Sequence, residues 1–371
     1  MSVRLGGLGW VTPLGSTLEG VWAKLRAGER ATAQSLGGNS CCAYSIPREA
    51  LADAPNHPRL RRASAISRFA VSAGLAALHD AGVELDADVA TRTALVFAIS
   101  NGGVIYTKRF FHEIVHSGAQ AASPLLFPET VFNAPASHLA AILGITGASY
   151  TLVGDGAVGL LALRMAEDLM ANPELDRCLV VGAEELDAVL CGAYRAWRLI
   201  RSAPPIEPFA QPPRGTFLSE GAGAILLTRA GEVTLEGVQP GGNFSRQGEL
   251  VRRLESMATG LTNGVPAGLF VASANGTFID EAERRMAAKF FPEAALYTPK
   301  PALGESIAAG GIWQTICAAL ALRWQELPPL LGKAPTPSLT TAQQPAGERW
   351  ERAVVTSCGM NQQFAGLALR C

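Results

Sequence analysis

Ser149-Tyr150-Thr151-Leu152-Val153, followed by Gly154-Asp155-Gly156-Ala157-Val158-Gly159, is the stretch on which the reading of this chain turns. A short apolar and β-branched run, a glycine-rich turn and apolar residues at helical spacing to about Met170 predict a strand, a tight turn and a helix. The glycines stand in the GxGxxG pattern, which in a strand-turn-helix setting seats a dinucleotide pyrophosphate on the helix N-terminus. Such a site wants an acidic ribose partner about 20 residues further on. Glu184 and Glu185 come late for that role, and the segment lies mid-chain instead of at the first strand-helix turn. The competing reading is that small residues let strand and helix pack closely. On that reading no nicotinamide, and no other cofactor, is expected.

Outward from this segment, strand-like and helical runs alternate, the mark of a layered α/β fold. Residues 94–100, 178–185 and 223–230 read as strands, and Ser64–Leu78 as a helix stopped at His79-Asp80-Ala81-Gly82. The second part of the chain repeats the theme. Residues 268–276 read as strand then turn, Asp280–Phe291 and Ala308–Trp324 as helices, and 353–359 with 364–370 as a strand pair. The Pro- and Thr-rich stretch 327–347 reads as an extended surface loop. Two halves are expected, 1–230 and 231–371.

Composition narrows the function. Charged residues make up 17% of the 371 and hydrophobic residues 48%, which excludes a disordered chain and favours extensive buried surface, including an oligomer interface. A net charge of -1 without a long basic block argues against nucleic acid as a partner. No long uninterrupted apolar run suggests a membrane span, and a cytoplasmic location is expected. The seven cysteines make no CxxC, so neither a zinc site nor a disulfide framework is signalled. His112 and His116, at i and i+4, would need a third converging ligand to hold a metal, and none is evident. No metal is expected. All five histidines (His57, His79, His112, His116 and His138) precede residue 139.

Five ordered blocks give the chain an end-to-end resemblance to the β-ketoacyl-acyl-carrier-protein synthases, condensing enzymes of thiolase fold. They are Gly7-Leu8-Gly9-Trp10-Val11-Thr12-Pro13-Leu14-Gly15 with Trp22; Arg61-Arg62 with Ser67-Arg68-Phe69-Ala70 and Ala76–Gly82; Ser123-Pro124 to Asn133 with Leu143–Gly147; Pro208-Phe209, Arg214-Gly215 and Phe217 with Ser219–Gly223; and Lys300–Gly311. The resemblance implies a five-layered αβαβα arrangement of two duplicated halves and acyltransferase chemistry on acyl-carrier thioesters.

The same resemblance locates the chemistry, and there the sequence departs from the family. The nucleophilic Cys, whose thiolate a helix N-terminus favours, falls on Gly156. The two His that stabilise the decarboxylation enolate fall on Asn275, in Ala274-Asn275-Gly276-Thr277, and on Glu305. Asn275 retains an amide donor, but an ionised Glu305 only accepts hydrogen bonds and repels an enolate. Lys300 remains in place. Cys358, in Ser357-Cys358-Gly359-Met360-Asn361, is the nearest spare thiol, although a buried apolar Cys is the commoner case. Met360 stands where a gating Phe is usual and is expected to plug the vacated pocket. Asp155 and Glu305 read either as an acid-base pair or as residues favoured at helix starts.

Two expectations follow for partners. Arg61, Arg62 and Arg68, with Arg59, form a basic patch suited to an acidic acyl carrier protein, or simply a solvated helix face. Loss of all three catalytic positions points to a non-condensing subunit resembling the chain length factors of fatty acid, polyketide or aryl-polyene synthesis. Such a subunit pairs with an active ketosynthase or forms a homodimer. The alternatives are altered thioester chemistry (hydrolysis, acyl transfer or decarboxylation), with backbone N–H groups of Gly156 and Met360 as an oxyanion hole, or a non-catalytic thioester-binding scaffold.

Overall fold

Residues 2–36, 41–52, 54–332 and 349–371 are described by the computed structural model. The strands are β1 (Val3–Val11), β2 (Ala33–Leu36), β3 (Cys41–Tyr44), β4 (Thr93–Ile99), β5 (Ser149–Val153), β6 (Arg177–Glu184), β7 (Gly221–Thr228), β8 (Val233–Asn243), β9 (Leu269–Val271), β10 (Ala295–Tyr297), β11 (Arg352–Cys358) and β12 (Gln363–Arg370). Ten of them run in the order β10-β9-β11-β12-β8-β1-β7-β6-β4-β5, while β2 and β3 form a separate hairpin.

That order contains the same topology twice. On one side β5, β4 and β6 are parallel, and β7 runs antiparallel between β6 and β1. On the other side β10, β9 and β11 are parallel, and β12 runs antiparallel between β11 and β8. The two five-stranded units meet through a short antiparallel pairing of β1 and β8, with Val3 opposite Leu235 and Leu5 opposite Val233. Parallel strands buried on both faces read as unbroken apolar runs, and every residue of β4 is buried.

Helices make the remaining layers. Helices Val158–Leu169 and Gly310–Trp324 pack on each other and each touches strands of both units, so they form the central layer. Apolar residues surround the second of these on every side, and Gly310–Leu322 is wholly buried, as a core helix must be. The Trp313 indole N–H within it is satisfied by the Ala222 carbonyl at 2.8 Å. Helix Ala65–Asp80 covers β1, β7 and β6 on one outer face, and helix Leu250–Thr262, packed on Ile279–Phe290, covers β8 and β12 on the other. This is the expected αβαβα order. The close fit of helix Ala65–Asp80 explains the glycines of β1: a Cβ on Gly7 would lie 2.0 Å from the Ala77 carbonyl oxygen.

Several elements go beyond the sequence reading, among them β1, β8, β10 and helices Leu18–Arg26, Val104–Ser117, Ala188–Ala196 and Leu250–Thr262. Of the predicted surface loop 327–347, residues 327–332 lack regular structure, and 333–347 lie outside the described residues. Helix Val104–Ser117 buries none of its residues. Among the described residues no helix is long and apolar enough to cross a membrane.

Candidate functional site

The parallel strands place the site. Their C-terminal ends open into three turns: Gly154–Ala157 after β5, Ala272–Phe278 after β9 and Gly359–Gln362 after β11. The ends of parallel strands are where α/β sheets generally gather functional residues. The connection after β10 adds Lys300 and Glu305. Gly156, Asn275, Lys300, Glu305, Cys358 and Met360, far apart in sequence, thereby converge.

Glu305 is the hub. Its Oε2 accepts from Asn275 Nδ2 at 2.6 Å and from Lys300 Nζ at 2.7 Å, and its Oε1 accepts from Lys300 at 3.0 Å. Lys300 places its remaining donor on Ser273 Oγ at 3.1 Å. That hydroxyl also accepts from the Cys358 N–H at 2.9 Å. Asn275 Oδ1 is occupied by the Thr277 N–H and hydroxyl, at 3.1 and 2.6 Å. Lys300 and Glu305 are 3% and 4% exposed and Asn275 is fully buried. The donors and acceptors of Asn275 and Glu305 are therefore engaged with one another and with Lys300, inside the protein.

The turn at Gly156 is closed as well. A Cβ on Gly156 would stand 2.9 Å from Gly359 Cα and 3.3 Å from Gly359 N. The loop after β11 is pinned there by two bonds across the turn. Ser357 Oγ donates to the Gly156 carbonyl at 2.7 Å, and Asp155 Oδ2 accepts from the Asn361 N–H at 2.7 Å. Gly359 sits so close that a Cβ on it would fall 1.8 Å from Asp155 Oδ2.

One sequence expectation is corrected here. Asp155 does not cap the following helix, whose N-cap is Ala157 without a side-chain bond; it clamps the loop. Glu305 holds its carboxylate beside the start of the helix at Gly310, with Oε1 3.6 Å from where a Cβ on Gly310 would stand, and it also neutralises Lys300. Met360 is buried in the core of the second unit, and the atoms over Gly156 belong to the backbone of Cys358 and Gly359.

Electrostatics at the site are acidic. Asp280, which accepts from the backbone N–H groups of Asn275, Gly276 and Phe209, is pushed by burial up to about 6. Glu283, bonded to the Ser273 N–H at 3.0 Å and Thr356 Oγ1 at 2.5 Å, is pushed by burial up to about 7. Burial also raises Asp155, although the backbone N–H groups of Gly156, Asn361 and Gln363 pull it back down. The Cys358 thiol, fully enclosed and facing the charges of Glu283 and Asp155, is held well above its ordinary value. A thiolate nucleophile is disfavoured there, and the Gly156 N–H, once a candidate oxyanion donor, faces the Asp155 carboxylate.

The description "Beta-ketoacyl synthase, N-terminal domain" matches residues 2–232. The chain belongs to the β-ketoacyl synthase family. Among curated relatives, the 3-oxoacyl-[acyl-carrier-protein] synthase 2 of Coxiella burnetii is 22% identical over 365 residues, covering 89% of this chain and 87% of that protein. The synthase 2 of Vibrio cholerae is 24% identical over 246 residues, covering 61% of this chain but only 57% of that protein. Among solved structures, "The ishigamide ketosynthase/chain length factor" superposes with a TM-score of 0.85 at 19% identity, covering 100% of this chain and 98% of that one.

As a member of the β-ketoacyl synthase family, the chain carries the Asn275-Glu305-Lys300 network inside a glycine-rich frame. Sequence reasoning reached Gly156, Asn275 and Glu305 but not the roles of Ser273 and Ser357. Arg61, Arg62 and Arg68 are exposed at the start of helix Ala65–Asp80. Arg61 and Arg68 line a cleft of about 290 Å³ with His57 and Leu60. His138 Nε2 pairs with Glu129 Oε1 at 2.7 Å. The His112 and His116 rings lie 4.1 Å apart, and no group of three or more His, Cys, Asp or Glu able to hold a metal occurs among the described residues.

Proposed function

We propose that this chain is a non-condensing β-ketoacyl synthase subunit that pairs with an active ketosynthase and acts as a chain length factor does in fatty acid, polyketide or aryl-polyene synthesis. One observation carries the reading. The position of the nucleophile is a glycine roofed by Gly359, and both positions of the enolate-stabilising His are locked into the Asn275-Glu305-Lys300 network. Condensation requires a thiolate and donors aimed at a developing oxyanion. Here the thiol is missing, the donors are spent, three carboxylates (Asp280, Glu283 and Glu305) face one lysine, and Asp155 adds a fourth facing Glu305.

The surface supports the partnership. Phe111, Val115, Leu125, Phe127, Phe132, Tyr150 and Val153 are all exposed, on helix Val104–Ser117, on the segment after it and on β5. β5 is the edge of its unit, so its outer N–H and C=O groups lack ladder partners. Exposed apolar side chains together with an open strand edge suit a second chain of the same fold. On this reading the basic patch of Arg61, Arg62 and Arg68 receives the acidic surface of an acyl carrier protein.

The test is co-expression with a ketosynthase that retains Cys and both His, followed by assay with malonyl- and acyl-carrier proteins. A 1:1 complex is expected, with product length set only when both chains are present and no condensation by this chain alone. Homodimers alone, beside a ketosynthase that works unaided, overturn the proposal. Malonyl-carrier decarboxylation by the isolated chain turns it toward altered thioester chemistry.

A further inference from the structure

A cavity of about 720 Å³ lies beside β1, and none of Gly156, Asn275, Lys300, Glu305 and Cys358 lines it. Its volume falls within the range of about 300–1,000 Å³ usual for small-molecule sites. Leu8 and Trp10 of β1, Leu75 of helix Ala65–Asp80 and Ala54 give it an apolar lining. Helix Leu18–Arg26 adds Glu19 from its first turn, and helix Ala65–Asp80 adds Ser72, His79 and Asp80. A mostly apolar wall with a few polar groups is the composition of a ligand site.

The protein leaves several of these polar groups unused. Asp80 Oδ2 accepts from the Leu8 N–H at 2.8 Å and from Arg323 at 3.3 Å, while Oδ1 makes no hydrogen bond among the described residues. The Glu19 carboxylate has no partner among them, and neither does the enclosed Ser72 hydroxyl. Arg323, the cation paired with Asp80, also faces Glu232 at 3.9 Å, so it does not cancel both carboxylates of the cavity. The lining therefore presents acceptors and negative charge in excess of donors.

We propose that this cavity binds a small amphipathic amine, with its apolar body against Leu8, Trp10 and Leu75 and its ammonium donating to Asp80 Oδ1 and Glu19. An ammonium carries three donors and no acceptor, which matches carboxylate oxygens that lack a donor. An alcohol of the same shape answers one acceptor but not the charge. A carboxylate of the same shape meets two like charges. Bound there, the amine braces β1 against two helices, and binding to the folded chain alone raises its stability.

The experiment titrates the full chain with three probes that share one apolar body: 4-phenylbutylamine, 4-phenylbutanol and 4-phenylbutanoate. Calorimetry gives the affinities, and the melting temperature is followed alongside. The amine is expected to bind at about millimolar concentration or below. It should bind roughly fivefold more tightly than the alcohol, and the carboxylate more weakly than either. Glu19→Gln and Asp80→Asn should each bring the amine toward the alcohol while leaving the alcohol unchanged. Ala54→Phe, which fills the cavity from a segment outside the helices, should weaken both. If Asp80→Asn does not fold, Glu19→Gln and Ala54→Phe decide. An amine that binds no more tightly than the alcohol, binding that survives Ala54→Phe unchanged, or no binding of any probe at several millimolar overturns the proposal.

Discussion

Lys300 and Glu305 form a salt bridge of 2.7 Å inside the protein, so each charge depends on the other for its solvation. Desolvating both is expensive, and removing one leaves the other unpaired at a typical cost of about 3–5 kcal/mol. Glu305→Ala should therefore lower the unfolding free energy by roughly that amount. The Lys300→Ala/Glu305→Ala double variant should lose less than the sum of its singles. Urea titrations of the four proteins measure the coupling, and simple additivity would show that the pair is not a unit. Glu184, at the end of β6, makes the opposite case of a buried carboxyl with no cation. It accepts from the Asn101 N–H at 3.1 Å, and burial pushes it up to about 8. A native pKa above the ordinary 4.5 means that folding favours the protonated form. Its stabilising contribution is whole below about 4.5 and is lost as pH rises to about 8. Glu184→Gln should flatten that decline relative to wild type, as urea midpoints measured from pH 5 to 8 would show. An unchanged slope would mean that Glu184 titrates near its ordinary value.

At the scale of elements, the turn after β5 and the loop after β11 behave as one unit. On the proposed reading Gly156→Cys would supply the family's nucleophile, and it puts a Cβ against Gly359 Cα at 2.9 Å. Overpacking of this kind costs about 1–3 kcal/mol. The variant should melt lower, and Gly156→Cys/Asn275→His/Glu305→His should still make no condensation product, because loop and turn must part before an acyl chain can enter. Product formation by that triple variant, followed by mass spectrometry of the carrier protein, would refute the blocked-turn explanation. What the sequence discloses follows the same division. β5, Ser149–Val153, was legible to the residue because a short apolar run met a glycine turn. β1 was not read as a strand because helix Ala65–Asp80 demands glycine where Gly7 meets Ala77, and glycine carries no strand signal. The altered positions were legible through the glycine frames around them. Their partners were not, since Ser273, Ser357 and the Asp155 clamp depend on three strand ends meeting. Asp155 looked like a capping residue because its true acceptor role is toward residues 361 and 363.

For the whole molecule, the repeated strand order shows why residues at the site can change without loss of the fold. The core is built from strands of both units and the helices packed on them, while the candidate site lies in turns after β5, β9 and β11. We propose the division into units 1–230 and 231–371 on the same basis, since β7 ends at Thr228 and β8 begins at Val233. On the proposed function the scaffold works through what it offers a partner, and exposed apolar side chains stand on β5 and on helix Val104–Ser117. Val153 and Phe111 are 53% and 65% exposed, so a charge at either costs little in the isolated chain, where surface changes usually stay within about 0.5 kcal/mol. Buried across an interface, the same unpaired charge costs several-fold more. Val153→Lys and Phe111→Asp should therefore leave the melting temperature of the isolated chain nearly unchanged and abolish its co-purification with the ketosynthase. Sedimentation of mixed chains reads the difference. If both variants still assemble at the wild-type ratio, the partner binds another face, and the reading of β5 as the meeting edge falls while that of the closed site stands.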